Sequence, residues 1–253
     1  MKKILSFILV VIIILGIIYL CYLFWEKFSG PRFLSKPELY DLLSRDDDGY
    51  FARFNENDLR VRGVGSVAEY KEKIWSSCSE FTDREKELLR QCTQEARIRM
   101  QSGMRSGGSG GLDPAKALRI PIIFGCITGK GYEEGLPHTR LPAIIIGRRE
   151  LDFVSPDFLV RLILHELTHL YQKIYPADVR EYLKQSGFEV VRKRRAEDNL
   201  RANPDVDGFV YKNTLTDVTY EFVYKENPRS IGDVVKSGEE HPFEEMAYRM
   251  ENL

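Results

Sequence analysis

The longest unbroken apolar run covers residues 4–25, ILSFILVVIIILGIIYLCYLFW, with no charged side chain. A run of that length spans a bilayer as one helix, and Tyr19, Tyr22, Phe24 and Trp25 gather at the end where lipid would meet water. The sequence therefore predicts an N-terminal transmembrane helix within residues 1–30. It is expected to be retained, because its apolar run is longer than the core of a cleavable signal. Lys2 and Lys3 precede it, while Lys27, Arg32 and Lys36 follow, so the charge asymmetry leaves its orientation open.

A second apolar pattern has helical period. In residues 155–176, SPDFLVRLILHELTHLYQKIYP, the side chains Leu159, Val160, Leu162, Ile163, Leu164, Leu167 and Leu170 cover nearly every side of one helix. Such a helix runs through a core. Ser155 suits its cap, Pro156 its first turn and Pro176 its stop.

Between these two patterns, polar and apolar positions mix at helical spacing. Residues 31–105 predict a helical lobe. Ser35 and Glu38 have capping-box spacing, residues 46–49 end the first helix, and Thr82 caps a later one. SGGSGG at 106–111 reads as a flexible joint. LRIPIIFGCI and LPAIIIG then read as strands around a polar loop containing His138, and ADVREYLKQSG reads as a short helix. Further on, Val218, Tyr220, Phe222 and Tyr224 alternate onto one face of a strand. The fold class expected is α+β: a transmembrane helix, a helical lobe, and a core domain over 106–253 with a small sheet packed on the long apolar helix.

That helix carries HELTH. One turn separates His165 from His169, so both imidazoles reach one ion, and Glu166 sits about 100° round the helix beside it. Two imidazoles and a carboxylate in a core helix cost several kcal/mol without partners, and a zinc ion with a water satisfies all three. A catalytic zinc takes a third protein ligand. HPFEEMAYRM supplies it from a helix opened by Pro242; Glu244 is the choice, with Glu245 and His241 as alternatives. His138 either orients substrate, or donates to a developing oxyanion, or serves a structural hydrogen bond. Tyr220 and Tyr224 are core residues, or phenols aimed into the cleft. A strand just before the zinc helix, AIIIG or the PHT segment leading into it, is the candidate edge for pairing with an extended substrate.

Composition narrows the picture. There are 37 Lys and Arg against 38 Asp and Glu, a net charge of -1, which excludes general attraction to nucleic acid. The basic run VRKRR is read as a solvated face. Of the four Cys, Cys21 lies in the apolar run; Cys78, Cys92 and Cys126 read as buried thiols, with a Cys78 to Cys92 bridge as the alternative.

HELTH with the downstream HPFEEMAY resembles the zincin superfamily in its gluzincin branch. The resemblance implies a metallopeptidase core over 106–253, with zinc held by His165, His169 and Glu244 and with Glu166 as general base. No third His follows HELTH at metzincin spacing. FARFNENDLRVRG, EEGLPHT, LILHELTHLYQKIYP, RANPDVDGFVY and HPFEEMAY are together similar to zincin-like proteins of large DNA viruses of algae, which implies a viral setting and no particular substrate. The function expected is membrane-anchored, zinc-dependent hydrolysis of a polypeptide; the alternative is an inactive zinc-containing structural or interaction protein of a membrane or virion.

Overall fold

Five short strands form the main sheet of the computed structural model: β1 (Arg32–Phe33), β2 (Cys78–Ser79), β3 (Ile123–Ile127), β4 (His138–Arg140) and β5 (Ala143–Gly147). The structure describes Gly16 and residues 30–105, 111–236 and 240–252. β3 lies parallel to both β1 and β5, β4 runs antiparallel along β5, and β2 pairs antiparallel with the far end of β3. Every residue of β5 is buried, as an unbroken apolar run requires of a strand covered on both faces.

The two faces pack against different helices. Ile144 and Ile146 join a core built on α4 (Asp83–Arg105) and on α7 (Pro156–Ile174), while Ala143 and Ile145 join one built on α1 (Lys36–Arg45) and α3 (Val67–Ser77). The period of two along β5 sorts its side chains between them. Gly125 in β3 faces the second core so closely that a Cβ there would stand 2.5 Å from Leu39 Cδ1.

Three further short helices, α2 (Glu56–Val61), α5 (Pro114–Ala117) and α6 (Arg148–Phe153), occupy connections. α8 (Pro176–Gln185) follows α7 after a break at Tyr175. A three-stranded sheet of β6 (Phe188–Lys193), β7 (Phe209–Asn213) and β8 (Val218–Tyr220) comes next, then the pair β9 (Phe222–Tyr224) and β10 (Val234–Lys236), and last α9 (Pro242–Glu251). α9 packs along α7.

Several expectations meet the structure directly. Ser35 N–H donates to Glu38 Oε2 at 2.8 Å at the start of α1, and Asp46 turns left-handed at its end. Thr82 Oγ1 accepts the Glu85 N–H at the start of α4. Helices fill residues 31–105 as expected, yet β1 and β2 from that stretch pair with β3, and Arg32–Leu253 form one unit. Cys78, Cys92 and Cys126 are buried free thiols, and burial pushes Cys78 up to about 12. The joint expected at 106–111 lies outside the described residues except for Gly111.

Two expectations are corrected. The structure has the mixture of helices and sheets of the α+β class, but no helix among the described residues is long and apolar enough to cross a membrane. α4 has the length, at 23 residues, yet carries charge on most of its turns, and α7 carries Asp157, Arg161, Glu166 and Lys173 among its leucines. The segment 4–25 that prompted the transmembrane helix lies outside the described residues, Gly16 apart. The alternating strand through residues 218–224 is also two strands in two sheets. Between them Glu221 pairs with Arg192 at 3.2 Å; Phe222 and Tyr224 are buried in a small core of their own, while Tyr220 packs against the main core beside Phe188.

Candidate metal centre

The start of α7 fixes where its histidines point. Ser155 Oγ accepts the Phe158 N–H at 3.2 Å with Pro156 in the first turn, and Tyr175 ends the helix. His165 and His169 then lie one turn apart, both buried, with their Nε2 atoms 3.0 Å apart. The cap of α9 brings the third group. His241 Nδ1 accepts the Phe243 N–H at 3.2 Å, and its Nε2 faces Asp207 Oδ1 at 3.1 Å, so this ring is occupied as a cap. Glu245 accepts from the Tyr220 hydroxyl at 3.0 Å and pairs with Arg249. Of the three candidates for third ligand, Glu244 is the one at the histidines: its Oε2 lies 3.4 Å from His165 Nε2 and 3.5 Å from His169 Nε2.

Each of the three is turned by a neighbour. His169 Nδ1 stands 2.8 Å from Gln172 Oε1, and Gln172 Nε2 donates to Phe243 O at 2.9 Å, which settles which end of the amide faces the ring. The ring hydrogen of His169 therefore sits on Nδ1 and leaves Nε2 a bare lone pair. His165 Nδ1 lies 2.6 Å from Glu251 Oε1. Glu244 Oε1 accepts from Asn203 Nδ2 at 3.0 Å, and Asn203 is held in turn by Glu240. This is the pattern in which outer groups orient metal ligands.

The donor set suits zinc. Two imidazole lone pairs and a carboxylate oxygen repel one another at these separations unless a cation or a proton stands among them. Bonds of about 2.0–2.1 Å to a tetrahedral zinc place ligand atoms roughly 3.3 Å apart, close to the separations here. Among the described residues, His165, His169 and Glu244 are the group whose ligand atoms, all within 4.8 Å of one another, could hold one metal ion. Without a metal, protons take up the same repulsion. Burial opposes charge on His165, but the nearby Glu244 and Glu251 carboxylates outweigh it and raise the ring to about 11. Burial likewise opposes charge on Glu244, and His169 and His165 hold it well below the carboxylate range.

Glu166 is buried beside these ligands, and its Oε2 has no hydrogen-bond partner. Burial and the charge of Asp205 raise its pKa, against the pull of His165 and His169. Glu166, His165 and Glu244 line a cleft of about 530 Å³, together with His138, Tyr248 and the segment 201–205.

His138 lies in this cleft in a defined state. Its Nδ1 is 2.9 Å from Leu136 O, and a carbonyl only accepts, so Nδ1 carries the hydrogen. Burial lowers the ring's pKa and keeps it neutral, which leaves the buried, unpartnered Nε2 an acceptor. An acceptor orients a substrate N–H; it does not donate to an oxyanion. Tyr220 and Tyr224 are absent from the cleft lining, and the Tyr224 hydroxyl donates to Asp58 at 2.9 Å. The tyrosine in the cleft is Tyr248, whose ring centre lies 5.1 Å from that of His165.

The strand expected to pair with substrate is placed differently. AIIIG is interior, between β3 and β4. β4 is the outer strand, but the Thr139 N–H donates to Asp205 Oδ1 at 2.7 Å and Thr139 O accepts from Lys173 Nζ at 2.8 Å. Pro137 has no N–H, and Leu136 O takes the His138 ring, so side chains already cover this edge.

Gln172, Glu251, Asn203 and Tyr248 escaped the reading of the sequence. Helical spacing held a signal for three of them: Gln172 is three residues after His169, and Tyr248 and Glu251 are four and seven after Glu244. Asn203 sits in a loop, where no period marks it. No family model, curated protein or solved structure matches the chain.

Proposed function

We propose that the protein is a zinc-dependent hydrolase of peptide bonds, related to the gluzincins that its motifs resemble. The observation that carries this reading is a buried, unpartnered carboxylate oxygen of Glu166 beside His165, His169 and Glu244, with Glu166, His165 and Glu244 opening on one cleft. Those three residues would hold the ion, which when bound would supply Lewis-acid polarisation of a carbonyl and a lowered pKa of water.

The remaining chemistry belongs to the chain. Glu166 accepts a proton from the attacking water and delivers it to the leaving amine; its raised pKa suits both halves of that transfer. His138 Nε2 accepts a substrate N–H, and the Tyr248 phenol donates to the oxygen on which negative charge develops. Gln172, Glu251 and Asn203 keep the ligand atoms converged.

One observation favours a second reading, a structural protein stabilised by zinc: the edge of β4 is closed at Thr139, where strand addition would otherwise hold an extended substrate. Zinc content and cleavage of a broad peptide library, measured on the full chain and on Glu166→Gln, separate the two. Stoichiometric zinc in both with cleavage only by the parent supports the hydrolase. Zinc without cleavage by either moves the assignment to the structural protein, and absence of zinc overturns both.

A further inference from the structure

Seven of the residues lining the cleft are Asp or Glu, and one is Arg. That Arg, Arg201, is held by Glu240, so the wall presents an excess of negative charge. Most of the carboxylates are engaged: Glu133 by Arg62, Asp205 by Thr139, and Glu244 and Glu251 by the imidazoles. Glu166 is accounted for by the chemistry proposed above. Glu150, half-buried on α6, is the other cleft carboxylate with no ion-pair or hydrogen-bond partner among the described residues.

The surface that accompanies it is apolar. Phe158, Leu162 and His165 line the cleft from one face of α7, and Leu136 and Pro137 line it from the turn before β4. Phe158 is 38 % exposed and Leu136 is 46 % exposed, high values for side chains of that kind beside a buried site. Seven residues separate Phe158 from His165, which at 1.5 Å per residue is about 10 Å along the axis. An extended peptide covers that distance in roughly three residues.

Resting on the peptidase reading, we propose that Glu150 and this apolar wall form a subsite for a lysine or arginine side chain of the substrate, two or three residues from the cleaved bond. The aliphatic stem of such a side chain lies along Phe158, Leu162 and Leu136, and its charged head reaches the Glu150 carboxylate. The field of the cleft favours the same cation over an anion at every stage of approach. A purely apolar subsite would not need a carboxylate left half-buried and unpaired in its wall.

The test uses peptides that differ at one position only, carrying Arg, Lys, Leu or Glu at each place flanking the cleaved bond, with the zinc-loaded full chain. The expected result is a preference in kcat/KM of about tenfold or more for Arg and Lys over Leu at one position, and more over Glu. The preference falls to about one in Glu150→Gln and turns toward Glu in Glu150→Lys. An equal response to all four side chains, a preference for Leu, or a basic preference that persists in Glu150→Gln overturns the subsite. Binding of the same peptides, labelled, to Glu166→Gln separates this from failure of the peptidase reading. If nothing is cleaved but Arg peptides bind more tightly and Glu150→Gln abolishes the difference, the subsite stands and the peptidase falls. If nothing is cleaved and all peptides bind alike, both fall.

Discussion

Gln172 Oε1 accepts the His169 Nδ1 hydrogen at 2.8 Å, and this one contact decides which nitrogen of His169 faces His165 and Glu244. Replacing Gln172 by Leu frees the ring to turn or to change tautomer. Zinc affinity is expected to fall about 10–100-fold while the helical content stays. Competition against a chromophoric chelator measures the first and circular dichroism the second; an unchanged zinc affinity would remove Gln172 from the centre.

The ligands and the base separate by their effects on metal. His165→Ala and Glu244→Ala should lose zinc, since each removes one of three donors. Glu166→Gln should keep it, and its rate on any cleaved peptide should drop by roughly 10²–10⁴. Tyr248→Phe should keep zinc and lower kcat more than it changes KM, because an oxyanion donor acts chiefly in the transition state. Metal analysis and steady-state kinetics on the four variants check the set.

Arg62 and Glu133, which lines the cleft, form a buried ion pair at 2.6 Å, with Asp58, Tyr50 and Tyr70 around it. Arg62→Ala strands two carboxylates and should cost about 3–5 kcal/mol in denaturant unfolding. Burial opposes the Glu133 charge, yet Arg62 holds the carboxyl down at about 2, below its usual 4.5. A depressed carboxyl contributes stability above the unfolded value and loses it as pH falls through the folded one. The contribution should therefore be whole above about pH 4.5 and fade toward pH 2. The difference in unfolding free energy between the parent and Glu133→Gln, followed with pH, should shrink over that interval; a difference constant with pH would contradict the pairing.

Gly125→Ala tests the packing between the sheet and α1. The added methyl would stand 2.5 Å from Leu39 Cδ1 and 3.0 Å from Ile145 Cδ1, so one of them must move. A loss of about 1–3 kcal/mol is expected, and Leu39→Ala in the same chain should recover part of it.

The local elements of this protein were legible in its residues because each carries its own signal. Ser155 and Pro156 start α7, Pro176 follows its end, all-apolar AIIIG makes an interior strand, and the i, i+4 spacing of His165 and His169 turns both rings to one side. The chain could narrow the third ligand only to a few neighbours, because Glu244 and Glu245 share helix and chemistry and differ only in direction. Packing of α9 on α7 decided that direction, with Tyr220 and Arg249 taking Glu245 and the histidines taking Glu244. Contacts distant in sequence set the rest. Asp205 and Lys173 close the edge of β4 at Thr139, a break at Glu221 divides one apparent strand between two sheets, and the Leu136 carbonyl makes His138 an acceptor. Periodicity fixes which way a side chain faces within its own element. Which partner meets it there depends on how distant segments are brought together, and that is a property of the folded chain alone.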